Sequence, residues 1–96
     1  MKGYWIGFVN VKKNDEYKKY TDLAKSAIEL HGGKFIARGG DYINLEGREY
    51  KRLVIVVFDS KKKALECYNS KEYKKALSFL NSENCERLIN IVEGIN

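Results

Sequence analysis

The chain has no proline among its 96 residues, a single histidine and two cysteines. Each shortage closes a class of explanation. Without proline there is no slow prolyl step in folding and no proline-rich linker. One histidine, His31, cannot supply the histidine pair of a zinc site, and Cys67 and Cys85 do not form a short metal-binding spacing. They read as free thiols of a reducing compartment. No glycine-rich phosphate loop is present. A long apolar run is also lacking. Tyr4 to Val11 is too short, and too interrupted by Gly7 and Asn10, for a signal peptide or a membrane span. The expectation is a soluble, cytoplasmic protein with no metal, no cofactor and no membrane contact.

What is present fits one domain, residues 1–96. A chain this long buries roughly 60–65% of its unfolded surface. With 44% hydrophobic and 32% charged residues it can fill a core, which argues against disorder. The net charge of +5 and pI near 9.2 favour an anionic partner over a cationic one.

The stretch Arg52 to Phe58 is apolar without a break from Leu53. A strand with one wet face alternates; one apolar at every position is covered on both faces. Tyr4 to Val11 reads as a first strand of similar character. Asn14 is expected to cap a helix, with Asp15 and Glu16 in its first turn. Tyr17, Tyr20, Leu23, Ala24, Ala27 and Ile28 then fall on one face at a period near 3.6. His31-Gly32-Gly33 ends that helix. Lys34 to Arg38 is a second strand, and Tyr42 to Leu45 is read as extending the sheet. After Arg52 to Phe58, Ser60 caps a short helix. Asn69-Ser70 breaks it and caps a second, which buries Tyr73, Ala76, Leu77 and Leu80. Asn81 to Glu86 is read as a polar loop and Leu88 to Val92 as the last strand.

The order β-α-β-β-α-β predicts an α+β, ferredoxin-like fold with a four-stranded antiparallel sheet and its helices on one face. Strands one and three, the most apolar, occupy the middle of the sheet. The second face is left open, and a second copy packed sheet to sheet, as a homodimer, is the expected cover.

Gly3-Tyr4-Trp5-Ile6, Tyr17-Lys18-Lys19-Tyr20, Gly32-Gly33-Lys34-Phe35, Arg38-Gly39-Gly40, Leu45-Glu46-Gly47, Arg52-Leu53-Val54-Ile55 and Val92-Glu93-Gly94 run nearly end to end along the chain. With Phe58, Ser60, Tyr68, Ser70 and Glu72-Tyr73, this pattern resembles a bacterial family known as domain of unknown function thirteen-thirty. That family lies within the dimeric α/β-barrel superfamily. The chain departs from the family's usual pattern at or next to Asn14, Asp59 and Lys71, where proline is common. The resemblance implies a homodimer with facing sheets and supplies no activity. The wider superfamily holds cofactor-free monooxygenases, lactone isomerases and haem-handling enzymes, a likeness of fold alone.

The candidate ligand-binding residues are Arg38, Tyr20, Tyr68 and Glu93. Arg38, followed by two glycines, would orient a small organic anion at the mouth of a cleft between sheet and helices. Tyr20 and Tyr68, like Tyr17 and Tyr73, project from helix faces aimed at the sheet. Glu93 would hold Arg38 or act as a base. Against this stands a turn glycine pair with Arg38 bonded to Glu93 or Glu46, and a tyrosine core with satisfied hydroxyls. His31 reads as a helix C-terminal residue, and Lys61-Lys62-Lys63 as a solvated cluster. The leading function is binding of a small acidic or aromatic ligand, with cofactor-free isomerisation or oxygenation as its enzymatic form. A non-catalytic interaction module is the alternative. RNA binding ranks last, because strand three lacks the glycine-aromatic signature of an RNA-recognition motif.

Overall fold

Strand and helix periods alternate along the chain, and the computed structural model of residues 1–96 follows them. Its elements are β1 (Gly3–Val11), α1 (Asn14–Leu30), β2 (Lys34–Arg38), β3 (Arg52–Phe58), α2 (Lys61–Tyr68), α3 (Lys71–Leu77) and β4 (Cys85–Glu93). The four strands form one antiparallel sheet in the order β2-β3-β1-β4. This is the ferredoxin-like arrangement, with the second helical connection split into α2 and α3. The two most apolar strands, β1 and β3, are central, since only an inner strand has both edges paired and both faces available for burial.

Alternation sorts the sheet's faces. Trp5 and Val9 of β1 are buried, as are Val56 and Phe58 of β3, and all belong to the core cluster with Tyr17, Tyr20, Ala24, Ala27 and Ile28 of α1. The intervening residues Tyr4, Ile6, Phe8, Leu53, Ile55 and Val57 lie on the opposite face and are only half-buried. Val56 therefore points into the helix layer, and Ile55 is the outward residue of that pair.

Three boundaries differ from expectation. Asn14 opens α1 as its first residue; Lys13 takes the capping position with no side-chain bond to the helix. Tyr42 to Leu45 forms no strand. Ile43 and Leu45 alternate with Asn44 and Glu46, but no strand pairs with the segment, and the two stay about four-fifths exposed. The last strand begins at Cys85, three residues before Leu88, because Val11 to Val9 extend far enough to pair with Cys85 to Arg87. The caps of the short helices are as read: Ser60 accepts from Lys63 N at 3.1 Å and Ser70 from Tyr73 N at 3.1 Å. At the end of α1, Gly32 takes φ +84°, which lets Gly33 N reach Ile28 O at 2.8 Å.

Candidate functional site

A cleft lies between α1 and the helix-facing side of the sheet. Its floor is set by strand register. Gly7 pairs with Val54 on one side and Ile89 on the other; one row along, Val9 pairs with Arg52 and Arg87. Arg52 and Arg87 thus flank Val9 on the same face, two strand spacings or roughly 10 Å apart at their α-carbons. Gly7, with no side chain, leaves the hollow beside them. Tyr17, Tyr20, Thr21, Ala24, Lys25 and Ile28 of α1 close it from above. The cleft is open at its mouth and has a cavity volume of about 40 Å³. A buried water needs roughly 10–15 Å³ and benzene occupies an engineered cavity of about 150 Å³, so the cleft has room for a small polar group or a few waters.

Arg38 reaches this cleft through a bulge. Phe35 pairs with Val56 and Arg38 with Val54, while the register shifts between Phe35 and Ala37. Strict alternation would place residues 35 and 38 on opposite faces; the extra residue, Ile36, puts both on the helix side. Arg38 stacks over Phe35, 4.7 Å from the ring centre. It forms no ion pair with Glu93, Glu46 or any other carboxylate.

The charged lining is of one sign. Arg38, Arg52, Arg87 and Lys25 border the cleft, and no Asp or Glu does. None of the three arginines belongs to any ion pair of the fold. Arg48, the fourth arginine, is neutralised by Glu86 and lies elsewhere. Lys25 and Arg38 are exposed at the mouth; Arg52 and Arg87 are half-buried farther in. Instead of carboxylates the inner pair face rings: Arg52 lies 5.8 Å from the centre of Tyr17, and Arg87 lies 5.0 Å from that of Tyr20. The Nε of Arg52 is buried with no hydrogen-bond partner. An unpaired buried donor of this kind is costly unless water or another acceptor meets it.

Behind the cleft, Arg87 Nη2 donates to Tyr73 Oη at 2.7 Å, and Tyr73 Oη lies 2.6 Å from Tyr20 Oη. Burial pushes both phenols above their ordinary pKa, with Arg87 pulling the other way. For Arg87, desolvation works against the charge and the two tyrosine oxygens outweigh it, so it stays ionised. Either hydroxyl of the Tyr20–Tyr73 pair can be the donor, and Tyr73 also accepts from Arg87.

Of the residues singled out from sequence, Arg38 and Tyr20 line this one cleft, with Tyr17. Tyr68 does not: it borders a second, more open groove with Leu77, Leu80 and Cys85, which meets the cleft at Arg87 and Ile89. Glu93 does not either. It is exposed, on the edge strand opposite Arg38's, and pairs with Gly3 at the far end of the sheet. The order β2-β3-β1-β4 puts two strands between it and Arg38. Arg52 and Arg87 were not among the sequence candidates. The signal for Arg87 is the alternation Cys85, Arg87, Ile89, Ile91; that for Arg52 is a cation at the mouth of an otherwise apolar strand. His31 faces Glu72 at 3.3 Å, tying α1 to α3 away from the cleft. No cluster of His, Cys, Asp and Glu is placed to hold a metal ion, and no helix is long and apolar enough to cross a membrane.

The sequence profile of the domain of unknown function (DUF1330) matches residues 2–95. The chain belongs to this family. No curated protein matches it at a significant level. Among solved structures it is similar to the protein RPA0582 of Rhodopseudomonas palustris, itself of unknown function. The TM-score is 0.76 at 14% identity, covering 99% of this chain and 83% of that one. It is also similar to a protein of Caulobacter crescentus CB15 whose name provisionally assigns it to antibiotic biosynthesis monooxygenases. There the TM-score is 0.67 at 10% identity, covering 99% and 91%. A dimeric ferredoxin-like protein of unknown function from Thermobifida fusca gives 0.55 at 12% identity, covering 97% and 91%. At such identities the likeness shows the fold: a ferredoxin-like sheet with helices on one face.

Proposed function

We propose that this protein binds a small organic anion, a carboxylate first of all, in the cleft between α1 and the sheet. The observation that carries the reading is the lining itself: Arg38, Arg52, Arg87 and Lys25 with no carboxylate among them. Four like charges around one hollow repel each other unless an anion sits between them, and a cationic mouth draws such an anion in. Arg38 and Lys25 meet it first; Arg52, Arg87 and Tyr20 hold its head group.

The cleft supplies donors and no base, which favours binding. Chemistry there would rest on stabilising an oxyanion of an already activated substrate, the form that a cofactor-free isomerase or monooxygenase takes. The name of the Caulobacter protein is in keeping with that form. The working unit is read as a homodimer in a cytoplasmic setting. Ile6, Phe8, Leu53, Ile55 and Val57 leave a half-buried apolar face with nothing from the chain's own helices upon it, and the Thermobifida relative is a dimer. Two buried free thiols suit a reducing compartment.

Thermal shift against small carboxylic acids and phenols tests the reading. At ten times its Kd a ligand stabilises by about 1.4 kcal/mol, a rise in Tm of roughly 5–10 °C for a domain of this size. The rise is expected to vanish in Arg38→Ala and Arg52→Met. Equal rises in wild type and both variants would count against the site.

A further inference from the structure

We infer that the cleft takes short acids with two oxygen ends: a carboxylate, and a second acceptor, carbonyl or carboxylate, one or two carbons away. This rests on the anion-site reading and narrows it. The donors form two groups on opposite sides of Val9. On the β3 side are Arg52, with its unpartnered buried Nε, and the neighbouring Arg38. On the β4 side are Arg87 and the Tyr20 hydroxyl, linked to each other through Tyr73.

Each side pairs a guanidinium with a ring one helical turn from the other, Tyr17 above Arg52 and Tyr20 above Arg87, with ring centres 5.5 Å apart. One carboxylate offers about four lone-pair positions, fewer than three guanidinium groups and a hydroxyl can fill. A simple monocarboxylate resting on one side leaves the other unanswered. The cavity volume of about 40 Å³ keeps the molecule short. Gly39 holds the β3 side in place: its φ is +69°, and a β-carbon there would collide with the Arg52 guanidinium.

Three acids of three carbons separate the possibilities: propionate with one end, pyruvate with a carbonyl second end, and malonate with a carboxylate second end. Calorimetric titration of each at low ionic strength is expected to favour pyruvate, malonate or both over propionate by at least about ten-fold. In Tyr20→Phe, which keeps the ring, that preference is expected to fall to about two-fold or less. Circular dichroism and the melting temperature check that the variant is folded. Equal affinity for all three acids in wild type, still lost in Arg52→Met, would overturn the two-ended reading and leave the anion site standing. So would a preference that Tyr20→Phe does not change. Binding indifferent to Arg52→Met, or no binding of any acid, would remove both.

Discussion

At the scale of single residues, the positions that matter most are those that steer a guanidinium. Gly39 is one. With φ +69° and Arg52 against its α-carbon, Gly39→Ala combines left-handed backbone strain with a collision. A loss of about 1–3 kcal/mol in urea unfolding is expected, together with loss of anion binding. Gly40→Ala, next in the chain but with open space around it, should change neither. The two cysteines make a second test. Burial pushes the Cys67 thiol up to about 11 and raises that of Cys85. Neither is expected to react with a thiol reagent at pH 8 in the native protein, and both should react after unfolding in guanidinium. Arg38 and Tyr20 were legible as cleft residues from strand and helix position. Arg38 nevertheless arrives there only because the chain bulges at Ile36, and nothing in Phe35-Ile36-Ala37-Arg38 announces a bulge. Pure alternation, the only guide a sequence offers, would have put Arg38 on the wrong face.

At the scale of elements, the long strands, α1 and both short helices follow their residue patterns closely, because amphipathic period and capping serines are local signals. Ser70 both accepts from Tyr73 N and donates to Cys67 O at 2.7 Å. Ser70→Ala is therefore expected to cost about 1 kcal/mol in stability and to loosen the Tyr73–Arg87 bond. The failures lie where pairing partners decide. Tyr42 to Leu45 looked like a strand but has none to join, whereas Cys85 and Glu86 looked like loop yet pair, with Arg87, to the far end of β1. That second extension is what brings Arg87 to the cleft. Between α1 and α3, the hydrogen bond from His31 holds the Glu72 carboxyl below its usual range. The folded chain thus binds that proton less readily than the unfolded one. The stabilisation is full above the ordinary carboxylate pKa near 4.3 and fades as pH falls through the lowered native value. Glu72→Gln should flatten the decline of Tm on the acid side, measured between about pH 5 and pH 3, and leave Tm above pH 6 little changed in its slope.

At the scale of the whole molecule, the sheet divides two tasks. One face, with Trp5, Val56 and Phe58, is closed by helices; the other, with Ile6, Ile55 and Val57, is not. That division was readable from two strands with no polar alternation, although which residues of β3 face which way was not. A charge at Ile55 is expected to give monomers by light scattering with the fold retained. The same charge at Val56, fully buried, should unfold the chain instead. A protein that is a monomer before the substitution would remove the homodimer. The charge pattern is likewise a property of the whole. A net charge of +5 spread along the sequence gives no hint that three of four arginines meet in one cleft, since β2, β3 and β4 assemble it from distant segments.

The four arginines also provide the most direct measurement. Each carries one Nε–H, so a nitrogen-15 correlation spectrum of the arginine side chains follows all four during titration with malonate. Saturable shifts of Arg52 and Arg87 are expected, with a smaller one for Arg38 and none for Arg48, which is held by Glu86. Shifts of all four that grow together without saturating, or an Arg52 signal that stays still, would contradict an anion site in the cleft.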